Sequence, residues 1–246
     1  MKIFVSGKGG AGKSTVSALL AKEMARRGKE VLVVDNDESN FGLHTHLGVE
    51  LPKDFMDFFG GRDDLFDNTD ELENGLRLDD VPEKYVSQID NLKLLAIGKI
   101  DEYGEGCACP MNVLSGKFLR NLSLSEDEVL IVDMDAGVEH FGRKVEEGAD
   151  VILVVVDPTR ESIKLSEKIK SFAEQIEVGL FFVLNKVDEE SEKIMFESVD
   201  GDKIIGSIPE KEEILYSGLK GESLDFRIKS VEKISDFLLD FWENLR

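Results

Sequence analysis

The chain has almost no cysteine: Cys107 and Cys109 are the only two in 246 residues. So small a set excludes a disulfide framework and turns attention to metal or redox chemistry. Positive charge is also scarce, with 30 Lys and Arg against 51 Asp and Glu and a formal net charge of −21. A field of that sign repels phosphodiester backbones and anionic headgroups, so neither nucleic acid nor a membrane is an expected partner. No apolar run has the length of a bilayer span. The opening MKIFVSG lacks the basic start and long apolar stretch of a secretory signal, and the expected compartment is the cytoplasm. No internal repeat or long flexible linker is evident, and the length suits one α/β domain over 1–246.

What the chain does have is a regular alternation of short β-branched runs with helical patterns. The runs are KIFVS, EVLVVD, LKLLAIG, EVLIVD, DVILVVVD, VGLFFVLN and KIIGSIP, and helical periodicity covers 14–27, 112–122 and 162–175. Continuous apolar runs separated by helices predict a doubly wound α/β fold, a mostly parallel sheet with helices on both faces. Ligands of such sheets bind beyond the carboxyl ends of the strands, which singles out Gly7, Asp35, Asp133, Asp157 and Asn185. Residues 51–88 differ, with a dense acidic load and little periodicity. They read either as a solvated insertion of short helices and turns or as a partner-docking surface. Over 229–245, Ile234, Phe237, Leu238, Phe241, Trp242 and Leu245 recur at helical spacing among Asp236, Asp240 and Glu243. Such an acidic amphipathic helix is expected to pack on its own domain, since a membrane-surface helix would carry Lys and Arg.

The run Gly7-Lys8-Gly9-Gly10-Ala11-Gly12-Lys13-Ser14, continued by Thr15, fits G-x-x-x-x-G-K-[ST]. Backbone N–H groups of this loop cradle phosphates, Lys13 reaches the β/γ oxygens and the Ser14 hydroxyl meets Mg²⁺. Lys8 is a second cation that one loop does not need, and it is available to another subunit's nucleotide. Asp35 and Asp37 follow the second strand. Asp37 is expected to position or deprotonate water in line with the γ-phosphate, the competing role being an N-cap for a helix near Asn40. Asp133 fits the Walker-B carboxylate that reaches Mg²⁺ through water, while Asp135 is either part of that site or a surface turn residue. Gly137 allows its N–H to approach the γ-phosphate, making 138–143 a candidate switch. His140 in that segment is either a relay of nucleotide or metal state or an exposed helix residue.

Asn185-Lys186-Val187-Asp188 has two readings. In one, Asp188 recognises guanine; in the other, Asn185 contacts the base and Asp188 starts a helix. GEGCACP places Cys107 and Cys109 in a turn before the helix over 112–122. Two thiolates cannot close a tetrahedral site, but two copies of the chain can, for Ni²⁺ or Zn²⁺; the other reading is a pair of ordinary reduced thiols. His44 and His46 point about 200° apart on a helix and are expected to be surface residues rather than ligands.

The loop KGGAGKS with its extra lysine, DND after the second strand and DMDAG after a later one together resemble the deviant Walker A ATPases of the MinD, ParA and nitrogenase iron-protein class. The resemblance covers nearly the whole chain. Within that class, GEGCACP with its following helix and DMDAGVEHFGR are similar to the CooC-type nickel-insertion ATPases that mature carbon monoxide dehydrogenase. The resemblance implies a dimer that forms on ATP, with Lys8 crossing to the opposite phosphates and the two Cys-x-Cys pairs holding one Ni²⁺ or Zn²⁺ between subunits. Hydrolysis would open the dimer and release metal to a nickel enzyme. Glu38 replaces a proline common in the class and Asp135 stands where relatives often have glutamate, but neither change removes a ligand. ATP-specific relatives do not require Asp188, which leaves the base preference open. Two alternatives remain: an iron–sulfur reductase like the nitrogenase iron protein, which expects a cysteine that 135–143 lacks, and a MinD- or ParA-like positioning ATPase, which the acidic surface suits poorly.

Overall fold

The computed structural model describes residues 1–61, 64–65, 69, 72, 75–99, 109–137 and 145–245, with Cys109 described in its backbone only. Eight strands form one sheet: β1 (Lys2–Gly7), β2 (Glu30–Asn36), β3 (Ser87–Ile89), β4 (Leu92–Ala96), β5 (Glu128–Met134), β6 (Val151–Val156), β7 (Gly179–Val187) and β8 (Ile204–Pro209). Their order is β3-β4-β2-β5-β1-β6-β7-β8. Every neighbouring pair is parallel except β3 with β4. The doubly wound expectation holds, and the short antiparallel strand at one edge is an addition to it.

The physical reason is burial on both faces. Val151–Val156 is buried at every position, as only a strand covered above and below can be. On one face α1 (Lys13–Arg26), α2 (Leu43–Leu47) and α7 (Lys229–Leu245) pack through Leu20, Met24, Leu43, Ile234 and Leu238. On the other face α3 (Cys109–Asn121) covers β2 and β5 through Leu114 and Phe118. There α4 (Arg160–Gln175) and α5 (Glu189–Ser198) cover β6 and β7 through Ile169 and Met195.

Several expectations need correction. The helix expected over 112–122 begins at Cys109, so the second cysteine opens α3 rather than preceding it. Pro110 explains this, because proline's missing N–H is unneeded in a first helical turn. Residues 51–88 are not simply solvated. Phe55, Met56, Phe59 and Tyr85 are buried, and the Phe55 ring meets Phe118 of α3 edge-on with centroids 5.1 Å apart. The acidic residues of this stretch hid its buried aromatic rows from a periodicity reading.

Helix α6 (Glu212–Lys220) lies outside every expected helical pattern, and α5 is expected only in the reading in which Asp188 starts a helix. Both are short, and α6 buries none of its residues, so neither leaves an apolar stripe to read. His44 and His46 are half-buried in α2 rather than on the surface, and burial lowers both imidazole pKa values. The His46 carbonyl accepts from Leu224 N at 3.0 Å, so the chain before α7 covers this turn.

The C-terminal helix behaves as expected. Ile234 and Leu238 are buried, and Phe181 of β7 meets the Phe237 and Phe241 rings edge-on at 4.9 Å each. Among the described residues no helix is long and apolar enough to cross a membrane.

Candidate nucleotide site

The loop between β1 and α1 lies at the carboxyl edge of the sheet. Gly7 has φ +147°, and a Cβ there would stand 2.5 Å from the Val155 carbonyl oxygen, which excludes any side chain. Gly12 caps α1 in the left-handed conformation and supplies no side chain to the first turn. The first N–H groups of α1 are therefore left for an anion, where the helix dipole favours one.

The loop is braced from behind by residues expected at the base. Asn185 is buried and its Nδ2 donates to Ala11 O at 2.7 Å, while Lys186 Nζ donates to Gly10 O at 2.7 Å. Lys186 takes a left-handed φ of +58°, costly for lysine, and that backbone aims its side chain at the loop. Asp188 accepts from Glu190 N and Ser191 N as the N-cap of α5, which supports the helix-start reading over guanine recognition. A cavity of about 830 Å³, lined by Val187, Asp188, Ser207, Pro209, Glu210 and Leu215, opens beyond β7 and β8 and has room for a nucleoside.

On the acidic side Asp133 is fully buried, and burial pushes its carboxyl up to about 6 against the pull of the Ser14 hydroxyl and Lys13. Asn40 Nδ2 donates to Ser14 Oγ at 2.6 Å and reaches Asp133 Oδ2 at 3.4 Å. A hydroxyl and a carboxylate gathered around one point are hard oxygen donors of the kind Mg²⁺ takes, so the residues present fit that ion.

Asp37 is not a helix cap, because α2 starts only at Leu43. Its carboxylate closes a turn instead, accepting from Ser39 N at 3.0 Å and Ser39 Oγ at 2.7 Å, and it lies close enough to Asp133 to help raise that group's pKa. Asp35, expected to face the nucleotide, is engaged by a lysine. Its carboxylate pairs with Lys99 Nζ at 2.7 Å with both side chains almost wholly buried, and burial pushes Asp35 up to about 7 despite that lysine.

Two further polar contacts bear on the loop. Gly137 N donates to Gly7 O at 3.3 Å, so here its N–H points at the loop's own start. Lys8 Nζ donates to Thr159 Oγ1 at 3.1 Å and lies 3.6 Å from Asp157, in the turn after β6. Cys107, His140 and the segment 138–143 lie outside the described residues. Sequence reasoning missed Lys99, Asn40 and Thr159. Lys99 in particular lies 64 residues from its partner, and nothing local marks it.

The sequence profile of the CobQ/CobB/MinD/ParA nucleotide binding domain matches residues 2–94. An uncharacterized ATP-binding protein of Methanocaldococcus jannaschii is 47% identical, over 97% of this chain and 99% of its own. The chain belongs to the CobQ/CobB/MinD/ParA family. Another relative of this MinD/ParA-type ATPase, the carbon monoxide dehydrogenase accessory protein CooC of Rhodospirillum rubrum, is 30% identical over 85% of this chain and 83% of its own. The septum site-determining protein MinD of Pyrococcus horikoshii, solved with Mg-ADP, shares the fold with a TM-score of 0.71 and 21% identity, over 96% of this chain and 94% of that one. In this MinD/ParA-type ATPase the groups that can act on a phosphate are thus the amides of Gly7 to Ser14, two lysines from one loop, and carboxylates brought in by β2 and β5.

Proposed function

We propose that this ATPase is a metallochaperone: an ATP-driven homodimer that holds Ni²⁺ or Zn²⁺ between Cys107 and Cys109 of two chains and hands it to a nickel enzyme such as carbon monoxide dehydrogenase. The observation that carries the reading is the presence of a Cys-x-Cys pair and a second loop lysine in one chain, alongside 30% identity to an accessory protein of carbon monoxide dehydrogenase. Topology adds support. Strand β4 ends at Ala96 in register with Asp35, so the chain that leads to Cys107 departs from the carboxyl edge, where the phosphate loop also lies.

The geometry supports an assignment of roles. Amides of the loop and Lys13 receive ATP, with Ser14 and Asp133 holding Mg²⁺, the latter through water. When bound, that ion neutralises charge developing on the phosphates. Asp37 orients the attacking water and accepts its proton. Lys8, held by Thr159 and Asp157 in the single chain, is released to the phosphates of the second subunit when the dimer closes. Metal held by thiolates from both chains is then lost when hydrolysis parts them.

A MinD-like positioning role has the fold in its favour, but α7 buries Ile234 and Leu238 on its own core and carries acidic residues on its outer side, which suits a bilayer surface poorly. The test is anaerobic metal titration of the purified protein with and without Mg-ATP. About one Ni²⁺ per two chains, lost in Cys107→Ser and Cys109→Ser, supports the reading. An absorption band near 400 nm with about four irons per dimer after reconstitution replaces it with an iron–sulfur protein.

A further inference from the structure

Lys99 carries out a task that neither the phosphate loop nor the thiolate pair accounts for. It follows β4, is about 2% exposed in its side chain, and its ammonium meets three acceptors at once. Nζ donates to Asp35 Oδ2 at 2.7 Å, to Asp37 O at 2.6 Å and to Asn40 O at 2.5 Å. Three donors on a compact ammonium suit three acceptors converging on one point, an arrangement that a planar guanidinium does not reproduce.

The acceptors matter because of what their residues do. Residues 37 to 42 have neither ladder nor helix to hold their backbone, yet the loop supplies both the Asp37 carboxylate and the Asn40 amide to the nucleotide site. The Asn40 amide stands 2.6 Å from Ser14 Oγ and 3.4 Å from Asp133 Oδ2, the two groups that fit Mg²⁺. Lys99 itself is fixed from a second side, since its backbone N–H donates to Asp54 Oδ2 at 2.9 Å. Asp35 then has a clear purpose. A lone buried ammonium is costly, and a buried carboxylate beside it keeps the lysine charged at the loop.

We propose that Lys99 is a positioning residue for ATP hydrolysis: it ties the carbonyls of Asp37 and Asn40 to the end of β4 and so sets the Asp37 carboxylate and the Mg²⁺ ligands in register with the phosphates. It touches neither nucleotide nor metal, and the proposal stands on the ATPase chemistry alone, independent of any nickel cargo.

The obvious variant is ambiguous, because Lys99→Met strands Asp35 as an unpaired buried carboxylate and weakens the fold for that reason alone. Pairing it with Asp35→Asn removes the stranded charge while still depriving both carbonyls of their donor. Thermal melts and steady-state ATPase assays on the purified full chain, with Mg²⁺ and ATP varied separately, read the outcome. For the double variant we expect a melt near wild type, kcat lower by about tenfold or more, and a Mg²⁺ requirement raised several-fold, with KM for ATP within about twofold.

Lys99→Arg retains the charge beside Asp35 and guards against a double variant that does not fold. It too should raise the Mg²⁺ requirement without lowering the melt. A well-folded double variant, or failing that a well-folded Lys99→Arg, with wild-type kcat and wild-type Mg²⁺ requirement overturns the proposal. So does recovery of activity in step with stability, which would make Lys99 a structural residue only.

Discussion

At the scale of single residues the account turns on cations and carboxylates placed where water is scarce. Lys8→Ala is expected to abolish hydrolysis and nucleotide-driven dimerisation, whereas Cys107→Ser and Cys109→Ser spare hydrolysis and remove metal. Equal ATPase loss in all three would collapse the separation of roles. Buried Asp133 and Asp35, raised to about 6 and about 7, give a pH dependence of definite sign. A carboxyl whose folded pKa exceeds its unfolded value stabilises the fold below that unfolded value, and the benefit is lost as pH rises through the folded one. Ligand-free protein should therefore melt lower at pH 7.5 than at pH 5.5, with Mg-nucleotide restoring stability at the higher pH, and a scanning melt at both values checks it. The same proton competes with Mg²⁺ at Asp133, so the Mg²⁺ requirement should rise as pH falls below about 6. The glycine pattern and Asp133 were legible because loop and strand end carry their chemistry in consecutive residues. Lys99 and the brace from Asn185 to Ala11 O were not, since each joins residues far apart in sequence and needs the sheet order to bring them together.

At the scale of elements, the parallel strands declared themselves through unbroken β-branched runs, and the acidic C-terminal helix through its apolar stripe. The less visible elements were those whose identity depends on neighbours. Helix α3 starts at Cys109, three residues before its apolar pattern, and the 310 turn Phe55–Phe59 is fixed by the Phe55 ring, which meets both Phe59 and Phe118 edge-on. Helix α5 is set by its cap. Asp188→Ala should cost about 1 kcal/mol of stability, as loss of a capping carboxylate does, and leave the preference between ATP and GTP unchanged. A shift of that preference in competition assays would return Asp188 to the base. In α7, Leu238 is fully buried, and Leu238→Ala should cost about 2–5 kcal/mol by denaturant unfolding. A cost below about 1 kcal/mol would mean that the helix does not seal the sheet.

At the scale of the whole molecule, a charge of −21 sets up a field that opposes association with polyanions. In the proposed metallochaperone, association with a second copy completes both the phosphate site and the metal site. A two-chain assembly would account for both unusual features of the sequence, a loop lysine surplus to one nucleotide and two thiolates too few for one metal. Metal shared between chains should therefore require the nucleotide-bound dimer, whereas that dimer should form without metal. Light scattering coupled to size exclusion, with nickel analysed across the peak, tests that directly. In Mg-ATP and Ni²⁺ the expected species is a dimer carrying about one nickel per two chains, with Lys8→Ala eluting as a monomer and Cys107→Ser as a nickel-free dimer. A monomer under those conditions, or one nickel per chain that survives in both cysteine variants, contradicts it.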